Sequence, residues 1–169
     1  MNENIKTKID CPSCGALSVG GLDGCLSLFV NLGLREFTNA DYFKMHRLSV
    51  DAYCLQHPEQ YMVSSKSAAA HLAAMCWTME IEKSLHMPAQ LKLWVDGPRR
   101  YVRILPPPLC NLGDLTIIDV FGTKNPEEYE TKVWQWAKSA WDAWSDHWDQ
   151  ARVWVQEAIS EYESNLLRR

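Results

Sequence analysis

The sequence has no long apolar run, no cluster of basic residues and no recognisable catalytic signature. No stretch approaches the roughly 18 apolar residues that crossing a bilayer requires. The longest, "AAAHLAAMCW" at 68–77, is interrupted by a histidine and reads as a core helix. The opening "MNENIKTKID" lacks an apolar centre, so no secretory signal is expected. Arg99-Arg100 and Arg168-Arg169 are the only adjacent arginine pairs, and the net charge is −4. Nucleic-acid binding needs a concentrated basic face that displaces counterions, so that class of partner is excluded. There is no G-x-S-x-G, no H-E-x-x-H and no glycine-rich phosphate loop. "VGGLDG" has the glycines but no strand before it. These absences predict a soluble cytoplasmic protein with neither a nucleic-acid nor a membrane partner.

What is present is an ordinary globular composition, 47% hydrophobic and 22% charged over 169 residues, long enough for one domain with a real core. Residues 1–10 are polar and expected to be flexible. Residues 11–24, "CPSCGALSVGGLDG", read as a knuckle and loop. Three helices are expected over 25–85. In the first, Leu26, Phe29, Val30 and Leu34 recur at near-helical spacing. The second is capped by Asp41 and stopped by Pro58, and the third is capped at Ser64-Ser65. Residues 90–122 read as an extended or hairpin segment around Asp96-Gly97, closing on a short helix capped by Thr116 and Asp119. Asn125-Pro126-Glu127-Glu128 then opens a long helix over 126–166. At 1.5 Å per residue its roughly 40 residues would span about 60 Å unless it bends. The fold class is mainly α: a helical bundle with an N-terminal C-x-x-C knuckle and a long tryptophan-rich C-terminal helix.

Six of the eight tryptophans lie between Trp134 and Trp154. Steps of three and four through 134, 137, 141, 144, 148, 151, 155, 158 and 162 make a coiled-coil-like seam. That seam is a core face, or a face left over for a second copy of the chain. A neighbouring stripe of alanines places His147 where a small ligand could fit.

Cys11 and Cys14 can hold one metal ion but supply only half of a closed tetrahedral set. Cys25 follows at the expected start of the first helix, where the dipole favours a thiolate. Short connections make the first two helices antiparallel, which brings the end of the second, at His57, beside Cys25. Cys11, Cys14, Cys25 and His57 are therefore the expected ligands of a structural zinc, with His71 the competitor for the fourth place. Cys54, Cys76 and Cys110 read as buried apolar residues. His46, Tyr53 and His57 share one helix face, the latter two about 20° to either side of His46. With Asp51, His71 and His147 they could line a pocket holding a catalytic metal or a small molecule. Asp51 could equally cap, pair with Arg47 or orient a histidine from a neighbouring helix.

The stretches "CPSCGA", "GCLSLF", "HRLSVDAYCLQHPEQY", "SAAAHLAAMCW", "LGDLTIIDV" and "WAKSAWDAWSDHWDQARVW" together resemble a bacterial domain-of-unknown-function family, number 5946. The resemblance covers nearly the whole chain. It implies that Cys11, Cys14, Cys25, His46, Asp51, Tyr53, Gln56, His57, His71 and His147 occupy motif positions, and it implies no activity. The leading expectation is a soluble zinc-binding helical protein whose metal holds the fold and whose role is binding or interaction. The alternatives are an enzyme or small-molecule-binding protein with a histidine-lined pocket, and a dimeric adaptor that uses the tryptophan helix.

Overall fold

The computed structural model describes residues 9–17, 19–83 and 85–168. Most of the stretch expected to be flexible, 1–8, lies outside them. The knuckle at 11–16 leads into α1 (Gly21–Thr38), α2 (Ala40–Phe43), α3 (His46–Gln56), α4 (Pro58–Tyr61) and α5 (Ser65–Cys76). A π-helical turn, Trp77–Ile81, prolongs α5. Then come α6 (Ala89–Asp96), α7 (Ile117–Phe121), α8 (Pro126–Ala143), a 3₁₀ turn at Ser145–His147 and α9 (Trp148–Leu166). No strand occurs among the described residues, and the mainly α class holds.

The caps explain most of the boundaries. Ser64 Oγ accepts from Ser67 N–H at 3.0 Å, and Asn125 Oδ1 accepts from Glu128 N–H at 2.9 Å, with Pro126 in the first turn of α8. Thr116 N–H donates to the Asp119 carboxylate at 2.9 Å. The second helix differs from expectation. Its start is capped by Asn39, whose side chain accepts from Asp41 N–H, and the chain kinks at Lys44-Met45. Pro58 opens α4 as well as ending α3, since its fixed φ and missing N–H suit a first helical turn.

Two larger expectations are corrected. Residues Ala89–Asp96 form a helix instead of one arm of a hairpin, and 99–108 carry no regular structure. "LKLWV" alternates with period two, but the burial is at Leu91 and Trp94, an i, i+3 pair facing α9. The long C-terminal helix is interrupted at Trp144. The Trp144 indole N–H donates to Leu55 O at 3.1 Å, and His147 Nε2 lies 2.7 Å from Leu105 O. These two anchors fix the corner, although neither proline nor glycine marks it.

Helix α3 is the centre. From Asp51 to Gln56 every residue is buried, with α8 on one side, α5 on another and α1 on a third. Trp136, Trp141, Trp144 and Trp154 are buried inside the chain, so most of the tryptophan face is consumed by the intrachain core. Gln56, fully buried, donates to Leu112 O (3.0 Å) and Leu115 O (2.7 Å) and accepts from the Trp136 indole N–H (2.8 Å). One side chain thus ties α3, α8 and the 112–115 loop together. On α1 the buried residues are Cys25, Leu32 and Glu36, while Val30 and Leu34 are exposed. The apolar spacing there misreads the face because Glu36 points inward.

Candidate metal centre

The knuckle is built by its backbone. Cys11 N–H donates to Ala16 O and Gly15 N–H to Cys11 O, both at 2.9 Å. Gly15 has φ +77°, a conformation that costs residues with a Cβ. This turn directs Cys11 and Cys14 inward, where both are buried. Cys25 reaches the same point from α1, and His57 from the C-terminal end of α3. The antiparallel arrangement of these helices therefore brings the expected ends together. Cys25 sits in the second turn of α1, which starts at Gly21, so the helix N-terminus does less for its thiolate than expected.

Cys11 Sγ lies 3.5 Å from His57 Nε2, Cys25 Sγ lies 3.4 Å from it, and Cys14 Sγ lies 3.8 Å from Cys25 Sγ. All four ligand atoms fall within 4.8 Å of one another, a group that can hold a metal ion. An ion about 2.3 Å from sulfur and about 2.0–2.1 Å from nitrogen, tetrahedrally bound, requires sulfur–sulfur edges of about 3.8 Å and sulfur–nitrogen edges of about 3.5 Å. The separations match that figure. They are far longer than the roughly 2.05 Å of a disulfide, and the cysteines are free.

The surroundings orient the ligands. His57 Nδ1 donates to Tyr53 O at 2.9 Å, which leaves the Nε2 lone pair facing the sulfurs. Tyr53 stacks on the His57 ring (centroids 3.9 Å apart) and on Phe29 (3.9 Å, 2° between planes), and its hydroxyl donates to Cys25 Sγ at 3.9 Å. Hydrogen bonds from Cys14 and Cys25, against the opposing effect of burial, hold the Cys11 thiol far below its usual range. Hydrogen bonding to Cys11, a further contact with Cys25 and burial push Cys14 far up. Cys25 is pushed up to about 11, first by its contact with Cys11 and then by burial. Three buried thiols thus compete for one thiolate, and a divalent cation at their centre would release that competition. Cys110 is exposed, against expectation. It adopts φ +65° so that its N–H can reach Ser13 O at 2.9 Å, which clamps the 109–112 loop onto the knuckle.

The other histidines do not join this group, and each has its own partner. His71 Nδ1 lies 2.8 Å from Asp51 Oδ1, so it is not the fourth ligand. Asp51 also pairs with Arg47, and in this way meets two of the roles its position allowed. Burial opposes charge on His71, but the bonds to Asp51 and Cys54 outweigh it and raise its pKa from 6.5 to about 10. His46 Nδ1 lies 2.7 Å from Glu36 Oε2, and His147 reaches Leu105 O. Tyr53 belongs with the cysteines, so a shared pocket of His46, Tyr53, His71 and His147 does not form.

Sequence reasoning missed Glu36, which is 1% exposed. Its carboxylate accepts from Ser49 Oγ (2.7 Å) and from the Tyr129 hydroxyl as well as meeting His46. The available signal was a charged residue sharing a helix face with Cys25 and Leu32.

A family model described as "Family of unknown function (DUF5946)" matches residues 9–145, which takes in all four members of the tetrad and α1 to α8. No curated protein and no solved structure matches the chain.

Proposed function

The chain belongs to this family of unknown function, and from that premise we propose that it is a zinc protein whose metal is structural and whose role is binding or interaction. The observation that carries this reading is the agreement of three separations, 3.4, 3.5 and 3.8 Å, with the edges of a tetrahedral shell of three sulfurs and one nitrogen. Three thiolates and an imidazole favour zinc over hard cations, which take oxygen ligands.

Four protein ligands fill the shell, so no position is left for water or substrate, and catalysis at the ion is disfavoured. The tetrad instead joins three distant parts of the chain: the knuckle, α1 and the end of α3. The knuckle in turn carries the 109–112 loop through Cys110. Ligand binding free energy at such a site is folding free energy.

The experiment is metal analysis of protein purified without chelator. About one zinc per chain is expected, with Cys25→Ser reducing both the metal content and the unfolding temperature. Folded protein with less than roughly a tenth of an equivalent would sink the proposal.

A further inference from the structure

Away from the knuckle, α8 and the start of α9 form one wall of a cleft of about 590 Å³ whose other wall is the π-helical end of α5. Its floor is aromatic. Trp134, Trp141 and Trp148 recur every seven residues along that wall, and Trp141 and Trp148 are stacked with centroids 5.7 Å apart and planes 20° apart. The Trp148 indole N–H is used by Trp141 O at 3.1 Å, which fixes that ring in place. Two departures from α-helical geometry flank the cleft, the π turn on one side and the 3₁₀ turn before Trp148 on the other.

Most of the charges around the rim are paired. Glu80 pairs with Arg152 at 2.7 Å, Arg152 also meets Asp149, and Lys138 pairs with Asp142. Among the described residues nothing pairs with Lys83, which lines the same cleft and holds a left-handed backbone at φ +51°. Flat indole faces select planar aromatic groups, and an unpaired ammonium at their edge selects an anion.

We propose that this cleft binds a planar aromatic molecule carrying one acidic group, its ring against Trp134 and Trp148 and its anion on Lys83. The site is separate from the cysteine tetrad, and nothing in it depends on the metal.

The test is a titration of the full-length protein with 1-naphthoate, read by the indole N–H resonances of the tryptophans in ¹⁵N-correlated NMR. Saturable shifts at Trp134 and Trp148 are expected, with Trp94 and Trp154 unmoved. Lys83→Gln, an exposed substitution, keeps the same pattern but weakens binding about fivefold, the upper end for one exposed ion pair. The cationic isostere 1-naphthylmethylammonium should bind more weakly by at least that factor. Absence of saturable shifts with millimolar naphthoate would overturn the proposal. So would shifts centred on other tryptophans, unchanged affinity in Lys83→Gln, or equal binding of the cation.

Discussion

Replacing Gln56 by leucine would preserve volume and remove every hydrogen bond that the side chain makes. The Trp136 indole N–H and Leu112 O, both in fully buried residues, would lose their partners, and the half-buried Leu115 O would lose a third. A buried polar group left unsatisfied costs about 1–3 kcal/mol. Two complete losses and one partial loss come to about 3–5 kcal/mol. That is a large share of the roughly 5–15 kcal/mol by which domains are stable. At about 2–4 °C per kcal/mol for a chain of this size, the melting temperature should fall by roughly 10 °C. Urea unfolding followed by tryptophan fluorescence, at fixed free metal, should show a lower midpoint with an unchanged slope. A double-mutant cycle isolates the cause. Trp136→Phe removes the orphaned donor, so the double variant should recover about 1–2 kcal/mol relative to additivity. A cost below about 1 kcal/mol for Gln56→Leu, or no coupling to Trp136→Phe, would refute the claim that Gln56 joins α3, α8 and the 112–115 loop.

The buried carboxylate of Glu36 makes a second prediction. Burial and the Glu36 carboxylate keep the Tyr129 hydroxyl protonated and donating, so Tyr129→Phe should cost about 1.5–3 kcal/mol in denaturant unfolding; a neutral result would contradict the network. His71 gives a pH dependence of definite sign. Its native pKa of about 10 lies above the ordinary 6.5. Its contribution to stability is therefore complete below about 6.5 and is lost as pH rises through about 10. In ¹H–¹³C NMR its imidazole should remain protonated at about pH 8, and titration near the unperturbed value would remove the argument.

Much of the candidate site was legible because it depends on local rules. The C-x-x-C spacing, a thiol early in α1 and a histidine just before Pro58 needed only the antiparallel pairing of short-looped helices to converge. The caps at Ser64, Thr116 and Asn125 were legible for the same reason, since they are set by neighbouring residues. What failed depends on distant contacts. The break at Trp144 is imposed by Leu55 O and by the tie between His147 and Leu105, neither of which lies nearby in sequence. The α6 helix was hidden by Asp96-Gly97, a pair that signals a hairpin turn in sequence but here ends a helix packed on α9. The three pocket histidines shared plausible faces, but each found a different partner: Glu36, Asp51 and a loop carbonyl.

The proposed structural role requires Cys11, Cys14, Cys25 and His57 to hold one tetrahedral zinc ion. X-ray absorption at the zinc edge, on protein purified without added metal, reads that shell. Three sulfur ligands at about 2.3 Å and one nitrogen at about 2.0–2.1 Å are expected, with no bound water. A shell containing oxygen, or fewer than three sulfurs, would contradict it.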